Sequence, residues 1–152
     1  MDAAQISHIG ICVRDMEKSL AFYRDALGME VVADGDTDPT EGGRPHNYRH
    51  PRRTRRRVSL SFSQNPTNPT LTLTNHPGEE PDGQAIQLDQ VGISHLAFSV
   101  ADPKSLAEDL ISKGYELAGS WEAFTNSQGQ VRSLYMYDPD RILVQFASGA
   151  GT

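Results

Sequence analysis

The sequence predicts an α+β fold made of two tandem βαβββ units, forming a curled mixed sheet around a cavity. Three observations predict it. The stretch Ile6-Ser7-His8-Ile9-Gly10-Ile11-Cys12-Val13 returns 87 positions later as Ile93-Ser94-His95-Leu96-Ala97-Phe98-Ser99-Val100. An aspartate follows each copy, Asp15 or Asp102, where a helix N-cap is wanted, and apolar residues at helical spacing come next. Each helical stretch then stops at a glycine, Gly28 or Gly114, the residue that most readily takes a left-handed C-terminal cap. A single unit of this kind leaves one sheet face uncovered, so the two halves are expected to pack together.

The elements follow in order. The first helix carries Met16, Leu20, Tyr23 and Leu27 on one face, and the second carries Leu106, Leu110 and Ile111. Strands are expected at 29–33, 58–62 and 70–74 in the first half, and at 115–118, 132–137 and 142–146 in the second. Asp138-Pro139-Asp140 reads as a tight turn between the last two strands. The modules are therefore 1–76 and 91–152, joined by a polar linker, 77–90, and together making one structural domain. The segment 34–57 is long, polar and rich in Gly and Pro, and reads as an insertion over the cavity mouth.

Composition narrows the function. The chain has 152 residues and a formal charge of −6, which argues against general nucleic-acid binding. No apolar run approaches the roughly 20 residues needed to cross a bilayer, and the first residues do not resemble a secretory signal. One cysteine, Cys12, precludes an intrachain disulfide, so a cytoplasmic protein is expected. Arg52, Arg53, Arg55, Arg56 and Arg57 break the acidic pattern. They read as a solvated loop or a charge-guarded strand edge, with an anion site or a contact with a second subunit as alternatives.

Strand alternation selects the candidate site residues. His8, Gly10 and Cys12 share the face opposite Ile9, Ile11 and Val13, and His95, Ala97 and Ser99 share the face opposite Leu96, Phe98 and Val100. If the apolar faces lie under the helices, each histidine points inward among small residues. The closing strands then add Thr72 and Gln145 to the same interior. Two imidazoles on rigid strands suit a divalent first-row ion, although the anionic ligand that such an ion favours is missing. Cys12 and Ser99 read as small cavity-wall residues, and Trp121 and Phe124 as an aromatic wall or as core. His46 and His50 lie in the long loop, where exposure is the simpler reading than a proton shuttle. His76 is either a rim residue or part of the turn before Pro77.

These motifs, with the helix Ser19-Leu20-Ala21-Phe22-Tyr23-Arg24-Asp25-Ala26-Leu27-Gly28-Met29 and the turn Tyr137-Asp138-Pro139-Asp140, resemble the vicinal-oxygen-chelate superfamily. That group includes glyoxalases, extradiol ring-cleaving dioxygenases, fosfomycin-inactivating transferases and bleomycin-type binding proteins. The resemblance spans the chain except for the 34–57 loop and implies the glyoxalase/dioxygenase fold. It implies that His8 and His95 are metal ligands, and that Gln145 stands where the family's glutamate closes the shell. Thr72 stands where glyoxalases place another acid. Tyr135 precedes Gln145 by ten residues, as a tyrosine that hydrogen-bonds a metal-bound substrate oxygen does in ring-cleaving dioxygenases.

The implied function is a divalent-metal-dependent enzyme acting on a small molecule. Extradiol-type ring cleavage of an aromatic substrate is the first specific expectation, with iron or manganese as metal and nickel or zinc as alternatives. A glyoxalase-like lyase or isomerase, or a metal-free binding protein of the bleomycin-resistance type, is the alternative. The resemblance further implies a homodimer, and the lack of a long apolar run implies no membrane partner.

Overall fold

A computed structural model describes residues 5–63 and 68–149. The chain divides into two compact units, residues 1–82 and 83–152. In the first, β1 (His8–Cys12) leads to α1 (Met16–Leu20), capped by the Asp15 carboxylate, which accepts from the amides of Glu17 and Lys18 at 3.0 and 3.1 Å. The expected helix then widens into a π-helical turn, Ala21–Ala26, and stops at Gly28, whose φ of +76° provides the left-handed exit. There follow β2 (Glu30–Asp36), a 3-10 turn (Arg44–Asn47), β3 (Arg56–Ser61) and β4 (Thr70–Asn75). The sheet order is β1-β4-β3-β2, with β1 parallel to β4 and the other pairs antiparallel.

Register puts Ile9, Leu71 and Leu60 in one row and Ile11, Leu73 and Val58 in the next, which gives β1, β4 and β3 a shared apolar patch. Met16, Leu20, Phe22 and Tyr23 are buried on the helical segment, and the Phe22 and Tyr23 rings meet edge to face at 4.9 Å. Burying side chains of this size contributes about 1.5–3 kcal/mol each. Leu27, expected on the same stripe, is only half-buried, because the π turn shifts the stripe's phase after Leu20.

The second unit contains β5 (His95–Ser99), α2 (Pro103–Ser112), a single-turn α3 (Trp121–Phe124), β6 (Ser133–Tyr137) and β7 (Leu143–Ala147). Its sheet order is β5-β7-β6, again with the first strand parallel to the last. Asp102 caps α2 by accepting from the Ser105 amide at 3.0 Å, and Gly114 ends the helix at φ +92°. Two expectations need correction here. The predicted strand at 115–118 is reduced to an isolated bridge, Leu117 to Met136. Gly119 (φ +156°) turns the chain at once into Ser120, the N-cap of α3, and the Phe124 ring packs so close that a Cβ at Gly119 would lie 2.9 Å from it. Ile111 is exposed, and Ala107 takes the inner position beside Leu110.

The Asp138-Pro139-Asp140 turn forms as expected. Asp138 is 3% exposed and accepts from the amides of Asp140 and Ile142 at 2.9 and 2.8 Å. Among the described residues, no helix is long and apolar enough to cross a membrane.

Candidate functional site

In the second unit, pairing puts His95 beside Leu143, Ala97 beside Gln145, and Tyr135 beside Gln145 on the same register row. Paired residues point to the same face, so His95, Gln145 and Tyr135 share one side of the sheet. The His95 and Tyr135 rings lie edge to face with centroids 5.6 Å apart. Gln145 is 8% exposed, and its Nε2 donates to Ser133 Oγ at 2.7 Å, which leaves Oε1 as the atom available to a ligand. Phe124 lies beyond Tyr135, its centroid 6.5 Å away. Trp121 opens the same helical turn and is half-buried, so neither aromatic is sequestered in the core. Ser99 and Ala97 continue the His95 face and are exposed.

The first unit repeats this plan. His8 pairs with Thr70, Gly10 with Thr72 and Cys12 with Thr74, all on one face. Thr72 thus stands to Gly10 as Gln145 stands to Ala97, which makes positions 72 and 145 structural equivalents. Thr72 is buried and shares a 3.3 Å hydrogen bond with Ser59. Cys12 is exposed on the His8 face and forms no disulfide.

Each histidine is also held alike. Ser7 Oγ lies 2.9 Å from His8 Nδ1, and Ser94 Oγ lies 3.0 Å from His95 Nδ1. Engaging Nδ1 leaves Nε2 as the nitrogen for an external partner, the usual way a hydrogen bond orients a ligating imidazole. A serine precedes the histidine in each copy of the repeat, but strand alternation alone assigns it no role. In the second unit the His95 Nε2 and the Gln145 amide oxygen are donor types that suit a divalent first-row ion, with less electrostatic attraction than a carboxylate would add. Among the described residues, no three His, Cys, Asp or Glu side chains cluster as a metal shell.

The remaining predicted residues separate. His46 and His50 are exposed on the loop, and His50 Nε2 lies 3.4 Å from Asp82. His76 is buried, with Nδ1 2.5 Å from the Thr54 carbonyl oxygen and its ring edge to face with Tyr48 at 5.5 Å. The insertion is shorter than expected, because β2 runs on to Asp36 and β3 starts at Arg56.

The arginine run is split rather than uniformly solvated. Arg56 bridges Asp34 and Glu17, at 2.7 Å each, and the guanidinium beside Asp34 holds that carboxyl below its usual range. The amides of Arg53 and Thr54 both donate to Glu79 at 2.9 Å. Those two backbone donors, with the Thr54 hydroxyl and Arg52, hold the Glu79 carboxyl at about 2.

The model of the Glyoxalase/Bleomycin resistance protein/Dioxygenase superfamily matches residues 5–146. The chain belongs to that superfamily. An uncharacterized protein of Bacillus subtilis, YwkD, is 28% identical over 137 residues, covering 90% of this chain and 91% of its own. A glyoxalase family protein from Bacillus cereus superposes with a TM-score of 0.73 at 16% identity, over 99% of this chain and 97% of its own. The trypanothione-dependent glyoxalase I of Leishmania major gives 0.68 at 21%, over 96% and 87%. The fosfomycin resistance protein FosX of Listeria monocytogenes, solved with manganese(II) and sulfate, gives 0.62 at 16%, over 98% and 95%. At these identities the structural likeness is one of fold.

Proposed function

We propose that the protein is a divalent-metal-dependent enzyme that binds a small molecule through two neighbouring oxygens. The observation that carries the reading is the shared face of His95, Gln145 and Tyr135, with the His95 ring against Tyr135 and its Nδ1 held by Ser94. In this reading His95 would ligate through Nε2 and Gln145 would add its amide oxygen, with His8 as the first unit's candidate ligand and Thr72 as a neutral residue on the His8 face. A divalent ion held there would supply Lewis acidity and a template for the two substrate oxygens. Tyr135 donates a hydrogen bond to one of those oxygens, and Phe124 and Trp121 offer apolar surface to the rest of the substrate.

Ring-cleaving oxygenation of an aromatic diol, with iron or manganese, is the first specific chemistry. Its support is Tyr135 standing directly across the β6–β7 pair from Gln145. An isomerase or lyase of glyoxalase type needs a base beside the reacting carbon. The β5, β6 and β7 residues that share the His95 face are Ala97, Ser99, Ser133, Tyr135, Tyr137, Leu143, Gln145 and Ala147, with no carboxylate among them. A metal-free binding protein is a second reading, favoured by the neutral side chains at positions 72 and 145.

The test is metal content of protein purified without chelators, compared with His8→Ala and His95→Ala, and turnover of catechol-type substrates by wild type and Tyr135→Phe. Near-stoichiometric metal lost in both histidine variants is expected, with Tyr135→Phe keeping its metal while turnover falls by about 100-fold or more. Wild-type protein that holds no iron, manganese, nickel or zinc sinks the enzyme reading. Tight binding of an aromatic compound by that metal-free protein would establish the second one.

A further inference from the structure

The loop 37–55 folds back on the ends of β1 and β4 and lines an open cleft of about 420 Å³ within the first unit. Its wall carries Arg44, Arg49, Arg52 and Arg55, with Tyr48, Cys12 and Thr74. In a chain of net charge −6, four guanidinium groups on one small cleft set it apart from the rest of the surface. The carboxylate on the wall, Asp82, is taken up by Arg49 at 3.2 Å and His50 at 3.4 Å.

Two groups in this pocket lack the partner their burial calls for. Arg55 is half-buried and donates to a neutral acceptor, Thr37 Oγ1, at 2.6 Å. Among the described residues, the charged or titratable groups that face it are Tyr48, Arg44, Arg57 and Cys12, with no carboxylate to offset its charge. Burial, reinforced by Arg44 and Arg57, pushes its pKa down, the reverse of what an ion pair does. Tyr48 supplies the second observation: its hydroxyl is buried and has no hydrogen-bond partner among the described residues. Its ring is fixed edge-on by buried His76. The neighbouring guanidinium groups are held in place by carbonyls, Arg44 by those of Asp38 and Glu41 at 2.9 Å and Arg52 by that of Glu80 at 3.0 Å. A pre-positioned cation without a counter-charge and an unmet hydroxyl donor are both satisfied by one oxyanion.

We propose that this pocket binds the carboxylate or phosphate group of a small molecule, with Arg55 as its principal charge and Tyr48 as its hydroxyl donor. The volume exceeds that of a bare inorganic anion and suits a small organic acid or phosphate ester. Cys12 and Thr74 on the wall share the His8 face of the sheet. At about 3.3 Å per residue, His8 lies about 13 Å along β1 from Cys12. Resting on the proposed function, the acidic group is then the remote end of the substrate that His8 serves.

Calorimetric titration of the full chain with inorganic phosphate and with succinate, at constant ionic strength, tests this. Saturable 1:1 binding of either anion is expected; which one binds more tightly separates a phosphate from a carboxylate ligand. Arg55→Met should weaken binding by about tenfold or more and Tyr48→Phe by about threefold or more, with metal content unchanged in both. No binding of either anion, or an affinity that Arg55→Met leaves unchanged, overturns the proposal. If Arg55→Met does not fold, unchanged affinity in Tyr48→Phe overturns it equally. Anion binding in a protein that never takes up metal keeps this site and removes the metal reading alone.

Discussion

Replacing Gln145 with glutamate probes the inner face most sharply, because it changes charge with almost no change in shape. In the wild type Nε2 donates to Ser133 Oγ at 2.7 Å. A carboxylate at the same place only accepts, so the Ser133 hydroxyl must rotate and donate instead, which a hydroxyl can do. Without metal the new charge sits at a position 8% exposed, with one hydrogen bond to support it. Such burial raises the carboxyl pKa and costs about 1–3 kcal/mol of stability. For a divalent ion and a carboxylate whose charge centres were about 4 Å apart, the gross attraction would be about 8 kcal/mol at an effective dielectric of about 20. Most of that is offset by stripping water from the carboxylate.

A remainder of about 1.4–2.8 kcal/mol corresponds to 10- to 100-fold tighter binding. Gln145→Glu should therefore melt lower than wild type when stripped of metal, and bind manganese 10- to 100-fold more tightly in a calorimetric titration. A folded Gln145→Glu protein whose manganese affinity is equal to or below that of the wild type would refute the placing of Gln145 in the shell.

Two further predictions concern the frame around the site. Asp138→Ala removes a buried carboxylate that accepts from two backbone amides, and should cost about 2–3 kcal/mol in urea unfolding; a loss below about 0.5 kcal/mol would show that the β6–β7 turn does not depend on it. Glu79 is held at about 2, below its ordinary 4.5, so its contribution is full above about 4.5 and is lost as pH falls through about 2. Glu79→Gln should therefore melt below wild type at neutral pH, with the gap closing between those values, and a gap that stays constant with pH would remove the carboxylate's role in fastening 53–54.

The sequence by itself determined the duplicated plan and its punctuation. The recurring Ile-Ser-His stretch, the caps at Asp15 and Asp102, and the stops at Gly28 and Gly114 are local signals, set by backbone sterics and by the nearest few residues. Period-two alternation likewise placed His8, Thr72, His95, Gln145 and Tyr135 on faces, since each strand needs only its own pleat to do so.

Tertiary structure decided what depends on partners distant in the chain. The strand expected at 115–118 shrank to one bridge ahead of the turn at Gly119, and Ile111 yielded its inner place to Ala107. The arginine run looked uniform along the chain, yet folding paired Arg56 with Asp34 and Glu17 and left Arg55 facing Arg44, Tyr48 and Cys12. Charge compensation is a property of distances in space, and a linear pattern of like charges does not reveal which of them will lack a counter-ion.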